Sequence, residues 1–204
     1  MSGTFAVNET QASDAAQIEH LLDLSFGIDR RIKTSYRLRE GSHAIGGLSL
    51  VIRDGEVGIA GSISFWPVRI GTGGVHALLL GPLAVHPERQ NLGIGLALMR
   101  EGLARAAAMG HRLAVLVGDE PYYGRAGFKK LPRNLLIMPG PINPDRFLYL
   151  ELIAGALAGV SGLVLPPYRF DAKAPHPPTS LREAGPNPLP ASQGEGKTSL
   201  PRPM

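Results

Sequence analysis

The N-terminal part of the chain combines one strand pattern with two helix patterns. Residues 5–7 predict a short strand. The next segment, DAAQIEHLLDLSF, predicts an amphipathic helix capped by Ser13, because four apolar residues recur at helical spacing: Ile18, Leu21, Leu22 and Phe26. The basic segment IDRRIKTSYRLRE then predicts a second, more exposed helix.

The middle of the chain predicts three strands and a long helix. GLSLVIR and GIAGSISFWPVRI are joined by DGEVG, which predicts a hairpin, and VHALLLGPLAV predicts a more deeply buried strand. Residues 93–109 predict a helix that rests on a sheet and stops at Gly110. Its apolar residues recur at steps of three and four: Leu92, Leu96, Met99, Leu103 and Ala106.

The last segments predict two more strands and then a change in composition. HRLAVLVG and FLYLELI read as strands on either side of the turn DEPYYGRAGF. The run LIAGALAGVSGLVL is too short to span a bilayer and predicts a buried strand followed by packing turns. We therefore expect one domain over residues 1–171, and a disordered tail over residues 172–204, which are rich in proline and poor in large apolar residues.

Composition narrows the classes of function. The chain of 204 residues contains no cysteine, which excludes a disulfide framework, a thiolate zinc site and a cysteine nucleophile. The same absence fits a reducing, cytoplasmic location. A net charge of +4 favours anionic ligands such as phosphates, and we expect no nucleic-acid, membrane or metal partner.

The segment HPERQNLGIGLALMR places two glycines where a polar turn becomes a helix. Helix-starting N–H groups lack internal partners, and glycine lets a pyrophosphate approach them closely. A Walker loop would need Lys-Ser or Lys-Thr after Gly95, and a Rossmann fingerprint would need a small residue in place of Leu98. The remaining pattern, Q/R-x-x-G-x-G/A, is matched by Gln90, Gly93 and Gly95, with a merely tight turn as the alternative.

Two of these motifs resemble those of a known family. LGPLAVHPERQNLGIGLALM resembles the acetyl-CoA motif of the GNAT superfamily of N-acetyltransferases. DEPYYGRAGF resembles the family segment in which a tyrosine, here Tyr123, precedes Gly-Phe by four residues. FLYLELIAGALAGVSGLVLPPY is similar to a bacterial branch of predicted N-acetyltransferases. The resemblance implies an α/β (α+β) fold whose mixed, mostly antiparallel sheet is flanked by helices and splayed at the acetyl-CoA site.

The resemblance also implies roles for individual residues. The backbone of Leu83 and Val85 would pair with the pantetheine arm of acetyl-CoA. The pyrophosphate would lie on the backbone of the loop and helix start: Gln90, Asn91, Leu92, Gly93, Ile94 and Gly95. Asn91 departs from the commoner glycine or basic residue, but asparagine tolerates unusual backbone angles. Tyr123 would protonate the departing thiolate, or else only pack beneath the cofactor, while Tyr122 would be its packing neighbour.

The implied reaction is direct attack of a primary amine on acetyl-CoA in a ternary complex. A non-catalytic acyl-CoA-binding sensor is the alternative, because VHALLLGPLAV lacks a glutamate that could serve as the base. His76 lies far back along that segment, and Asp119 and Glu120 are the nearest acids, so we assign no base.

The acceptor is a small-molecule or peptide amine that the sequence leaves unidentified, and a homodimer is compatible with the chain. A cluster of basic residues predicts an acidic acceptor, with a solvated charged face as the alternative: Arg30, Arg31, Lys33, Arg37 and Arg39. Phe65 and Trp66 would line either the acceptor site or the core.

Overall fold

The computed structural model describes residues 5–32 and 34–169. The predicted tail over residues 172–204 lies outside them. The strands in chain order are β1 (Val7–Glu9), β2 (Ser49–Asp54), β3 (Gly58–Ile70), β4 (Val75–Val85), β5 (Leu113–Val117), β6 (Lys129–Lys130), β7 (Leu136–Ile137), β8 (Phe147–Glu151) and β9 (Gly162–Leu165). The α-helices are α1 (Ala15–Phe26), α2 (Thr34–Arg37), α3 (Ile94–Ala108) and α4 (Glu120–Tyr123).

The strands form a mixed, mostly antiparallel sheet, which confirms the predicted fold class. The strand order is β1-β2-β3-β4-β5-β8-β6, and β9 joins β3 and β7 beside this path. Neighbours on the path pair antiparallel except β4 and β5, which run parallel. The predicted hairpin is the antiparallel β2–β3 pair, in which Asp54 is paired with Gly58.

Helix α3 covers one face of the sheet, as its apolar periodicity predicts. Leu98, Met99 and Leu103 are buried against sheet residues that include Phe65. At Gly102 a Cβ would overlap with the Phe65 ring, so glycine allows the helix to approach the sheet closely. Leu92 does not belong to the buried face: it precedes the helix and is 55% exposed.

The other face is covered by α1 and by the short C-terminal strands. Leu21 and Leu22 of α1 pack against Val51 and Ile59, and β7 and β9 contribute Leu136 and Val164 to a second apolar cluster. The sheet is therefore buried on both faces, and its central strands β3 and β4 consist largely of buried apolar residues.

Strands β4 and β5 separate after two paired positions, which confirms the predicted splay. Leu78 pairs with Ala114 and Leu79 with Val115, and beyond them β5 pairs only with β8. In the same region β4 carries an extra residue relative to β3, since Phe65 is opposite Leu80 but Ile63 is opposite Leu83. A bulge of this kind bends its strand, and here it lies just past the last position at which β4 pairs with β5.

The predicted amphipathic helix is confirmed as α1, but its predicted cap is wrong, and so is the second N-terminal helix prediction. Ser13 is not the cap of α1, because Ala12–Asp14 forms a 3₁₀ turn in which the Asp14 carboxylate accepts a hydrogen bond from the Gln11 backbone N–H at 2.7 Å. The basic segment is not one exposed helix. It folds as a 3₁₀ helix, Ile28–Ile32, followed by the four-residue α2, and Arg30, Leu38 and Arg39 are buried.

Two strand predictions also need correction. The first strand begins at Val7 rather than at residue 5, because its pairing with β2 starts at Val7 and Ile52. In the apolar run of residues 152–165 the turns come first and β9 follows, with Ile153 and Leu163 46% and 45% exposed. No helix in residues 5–32 and 34–169 is long and apolar enough to cross a membrane.

Candidate functional site

The gap between β4 and β5 opens into two adjoining cavities. The glycine-loop cavity, of about 730 Å³, is lined by residues 83–85, residues 89–97 and the tyrosines of α4. The arginine cavity, of about 480 Å³, is lined by residues that include Arg39 and Arg146. Both cavities share Phe26, Leu83, Tyr122 and Tyr123, so a ligand in one lies next to a ligand in the other.

All eight residues predicted to bind the cofactor line the glycine-loop cavity: Leu83, Val85, Gln90, Asn91, Leu92, Gly93, Ile94 and Gly95. Asn91 and Gly93 adopt left-handed backbone conformations, with φ of 61° and 90°. Residues other than glycine and asparagine rarely adopt such angles, which explains these two residue types in the loop.

The start of α3 presents unpaired amide groups to this cavity. The first helical hydrogen bond runs from the Ala97 N–H to the Gly93 carbonyl at 3.0 Å. The N–H groups of Ile94, Gly95 and Leu96 precede it and have no acceptor within the helix. Since the helix dipole makes this end partly positive, the loop is suited to an anionic group.

Glycine is favoured at position 95 for a different reason from position 93. A Cβ at Gly95 would overlap with the Tyr122 hydroxyl oxygen, whereas a Cβ at Gly93 would meet no atom within 4 Å. Glycine at position 93 therefore allows the left-handed backbone angle. Glycine at position 95 leaves room for the Tyr122 side chain, which lines the cavity from α4.

Three arginines that sequence reasoning missed also line the glycine-loop cavity: Arg89, Arg100 and Arg125. The Arg89 guanidinium donates to Asp54 at 3.0 Å and to Glu56, both at the β2–β3 turn. Hydrogen bonds from Arg89 and from two backbone N–H groups hold the pKa of Asp54 well below its usual range. The pairing fixes Arg89 beside the loop, but its partners lie 35 and 33 residues away, so no local signal indicates it.

The two tyrosines of α4 occupy different environments. Their ring centroids are 5.2 Å apart in an edge-to-face arrangement, and Tyr123 also packs edge-on against Phe128 at 6.1 Å. A Cβ at Gly118 would overlap with the Tyr123 ring, which is the more enclosed of the two. Burial, followed by the neighbouring Tyr122 and Asp119, raises the pKa of Tyr123 to about 12. Its phenol therefore keeps its proton at neutral pH.

The arginine cavity contains a buried cation, Arg39, which is 9% exposed. Its Cζ lies 3.7 Å from the centroid of the Tyr36 ring and 5.6 Å from that of Trp66. The sequence left open whether Phe65 and Trp66 lie in the core or in the acceptor site, and the structure gives them different surroundings. Phe65 is fully buried against α3, whereas Trp66 lies next to Arg39 without lining the cavity.

The described side chains of the predicted basic cluster, which do not include those of Arg31 and Lys33, do not form one charged face. Arg30 is 2% exposed and donates hydrogen bonds to Glu19, Asp23 and the Tyr36 hydroxyl at 2.6, 2.8 and 3.0 Å. Burial alone would lower the pKa of Arg30, but these hydrogen bonds raise it above its usual value. Arg30 is therefore not available to an acceptor, Arg37 is exposed, and Lys33 lies outside the described residues.

Of the acids considered as a base, only Asp119 reaches a cavity. Asp119 lines the arginine cavity, and its carboxylate pairs with Arg146 at 3.0 Å. Glu120 and His76 line neither cavity. Among the residues that the structure describes, no group of three or more His, Asp or Glu side chains is arranged to hold a metal ion.

Comparisons with known proteins agree on one family. The family model of the acetyltransferase (GNAT) domain matches residues 6–131. The uncharacterized N-acetyltransferase YhbS of Escherichia coli K12 is 32% identical over 151 residues, which cover 74% of this chain and 89% of that protein.

Two crystal structures extend this similarity to three dimensions. The structure of Escherichia coli YhbS in complex with CoA has a TM-score of 0.69 and 28% identity, covering 85% of this chain and 97% of that one. A GNAT family acetyltransferase from Brucella melitensis in complex with acetyl-CoA has a TM-score of 0.52 and 30% identity, covering 72% and 96%.

Proposed function

Because the chain belongs to the GNAT family of acetyltransferases, we propose that it transfers the acetyl group of acetyl-CoA to a primary amine by direct attack in a ternary complex. Family membership makes it an acetyl-CoA-dependent N-acetyltransferase, and it disfavours the non-catalytic acyl-CoA-binding alternative. The observation that carries the proposed mechanism is the pair of adjoining cavities at the splay between β4 and β5. A cytoplasmic location, which the lack of cysteine supports, remains part of the proposal.

The glycine-loop cavity fits acetyl-CoA. The pyrophosphate would lie on the amides of residues 90–95, where α3 begins and where Gly93 and Gly95 keep side chains out of the way. The edge of β4 at Leu83 and Val85 has no partner on β5, so its backbone groups would pair with the pantetheine arm. When bound, acetyl-CoA supplies the thioester whose acyl carbon the amine attacks.

Tyr123 would supply the proton that the departing sulfur needs. Its raised pKa keeps the phenol protonated, so it serves as a donor rather than as a base. A phenol of pKa about 12 is a weak acid beside a thiol of pKa ~8.5. The transfer is favourable when the proton shed by the amine replaces the one that Tyr123 gives up. One proton then leaves nitrogen and one reaches sulfur, and we assign no separate base.

Ligand-induced stabilisation of the full chain tests the cofactor site first. At one hundred times its Kd, acetyl-CoA should add about 2.7 kcal/mol to the free energy of unfolding. That corresponds to a rise in unfolding temperature of roughly 5–11 °C for a domain of this size. Gly93→Glu should lose the shift, since it places an anion and a strained residue in the loop. An equal shift in both proteins would mean that the pyrophosphate does not bind to this loop.

Release of free CoA with a panel of primary amines then tests the role of Tyr123. Tyr123→Phe should lower kcat by about 10²- to 10⁴-fold while it leaves the stabilisation by acetyl-CoA unchanged. Tyr122→Phe is the matched control, because it removes the neighbouring hydroxyl from the same two cavities. A large loss in the control, with Tyr123→Phe active, would transfer the acid role to Tyr122.

A further inference from the structure

Arg39 is a buried cation in the wall of the arginine cavity, and among the residues that the structure describes it has no carboxylate partner. Its Nε donates a hydrogen bond to the Ser35 carbonyl at 3.0 Å. Within residues 5–32 and 34–169, no Asp or Glu oxygen lies within 4 Å of its guanidinium nitrogens. Buried arginines are normally paired, so the missing partner needs an explanation.

The charges that line the cavity do not balance. Its lining, as far as the structure describes it, contains two cations, Arg39 and Arg146, and one acid, Asp119, which already pairs with Arg146 at 3.0 Å. Arginine stays protonated under all ordinary conditions. Burial, together with the neighbouring charge of Arg30, lowers the pKa of Arg39, and the opposing effects of Tyr36 and Glu19 offset only part of this, so the charge is poorly solvated there.

The guanidinium of Arg39 is also held in place before any ligand binds. Its Cζ lies over the Tyr36 ring, 3.7 Å from the ring centroid, and the Tyr36 hydroxyl accepts a hydrogen bond from Arg30. Arg30 is fixed in turn by Glu19 and Asp23 of α1. A guanidinium that is fixed in this way loses little conformational entropy when it binds an anion, and its coplanar N–H donors match the two oxygens of a carboxylate.

We propose that Arg39 binds a carboxylate of the acceptor, so that the enzyme acetylates amines that carry a carboxylate, as amino acids do. This inference rests on the proposed function, because it treats the arginine cavity as the acceptor site next to the thioester. The unbalanced positive charge also works against polyamines and other polycationic acceptors, which would be repelled. A single planar fork suits a carboxylate better than a phosphate, which commonly has several donors around it.

Matched acceptors of increasing length provide the test. The probes are glycine, β-alanine, 4-aminobutanoate and 6-aminohexanoate, each beside its primary amide, with 2-aminoethyl phosphate as the alternative anion. CoA release is measured with the wild type, Arg39→Gln, Arg39→Lys and Arg37→Gln. The exposed Arg37 is the matched control, because it carries the same charge two residues away and lines neither cavity.

The wild type should favour one carboxylate over its amide by about 10- to 100-fold in kcat/KM, the range expected for a charge-assisted hydrogen bond. Arg39→Gln should remove this preference through KM, Arg39→Lys should retain part of it, and Arg37→Gln should keep all of it. The stabilisation by acetyl-CoA, measured on every variant, reports folding and cofactor binding independently. Equal turnover of carboxylates and amides, or a preference confined to the phosphate, would overturn the inference.

Binding measured by calorimetry in the presence of CoA separates the two proposals. Carboxylates that bind the wild type but not Arg39→Gln, without any turnover, would support the anion site and overturn the proposed acetyl transfer to these amines. Turnover of amides alone would support acetyl transfer and overturn the carboxylate site. Absence of carboxylate binding to the CoA-bound wild type would overturn the inference directly.

Discussion

Gly95→Ala provides a sharp test of the contact between α3 and α4 at the glycine-loop cavity. The added methyl group would overlap with the Tyr122 hydroxyl and would lie 3.3 Å from the ring carbon that bears it. Tyr122 is 36% exposed and can move aside, so we place the cost of this overpacking at about 1–1.5 kcal/mol, in the lower part of the usual range.

In Gly95→Ala alone, the overpacking cost is offset, because alanine has a higher helix propensity than glycine. Replacing glycine by alanine in a helix contributes up to ~0.8–1 kcal/mol, so the net change in the free energy of unfolding should be close to zero. A double-mutant cycle with Tyr122→Phe removes the ambiguity. Helix propensity is common to both sides of the cycle and cancels, whereas the collision with the hydroxyl exists on one side only.

The assay is urea unfolding of four proteins: the wild type, Gly95→Ala, Tyr122→Phe and the double variant. We expect a coupling free energy of about 1 kcal/mol, with the double variant more stable than the sum of the single changes predicts. Gly93→Ala is the control, since its methyl group meets no atom within 4 Å and should show no coupling to Tyr122→Phe. Coupling below ~0.5 kcal/mol would mean that the hydroxyl does not lie on Gly95.

Two further predictions concern the buried arginine and the buried phenol. Arg30→Met should lower the free energy of unfolding by about 2 kcal/mol and the midpoint by about 4–8 °C, because charge-assisted hydrogen bonds to half-exposed carboxylates are lost. Thermal unfolding checks this, and Arg37→Met, which removes an exposed charge, should stay within ~0.5 kcal/mol of the wild type. The pKa of Tyr123 is raised to about 12, whereas an ordinary tyrosine has a pKa of about 10. The Tyr123 phenol therefore stays protonated up to a higher pH than an ordinary tyrosine does. The rate of CoA release should therefore rise with pH as the amine deprotonates, without a decline below about pH 10, and a decline near pH ~8 that Tyr123→Phe abolishes would contradict the raised pKa.

Long periodic segments and contiguous motifs were predictable from the sequence. Strands β2, β3 and β4 and helix α3 have apolar patterns over many residues, so their packing follows from the pattern alone. The loop from Gln90 to Gly95 was predictable because its residues form one contiguous motif, and all of them line the same cavity.

The arginine cavity was not predictable, because its residues come from distant segments. Arg39 follows α2, Asp119 follows β5 and Arg146 precedes β8, and no spacing rule links them. The burial of Arg30 contradicts the usual exposure of charged residues, and only its partners in α1, 7 and 11 residues away, make that burial tolerable. A charged segment of sequence thus contained both a structural cation and a candidate ligand-binding one.

The narrow junction between β4 and β5 has a consequence for cooperativity. Two paired positions join these strands, against nine between β3 and β4 and five between β5 and β8. The sheet therefore contains two hydrogen-bonded blocks with few backbone hydrogen bonds between them, and separating β4 from β5 breaks fewer hydrogen bonds than opening within either block. Under the proposed function, acetyl-CoA that pairs with β4 across this gap would link the two blocks, and the bound protein would then unfold more cooperatively than the free one.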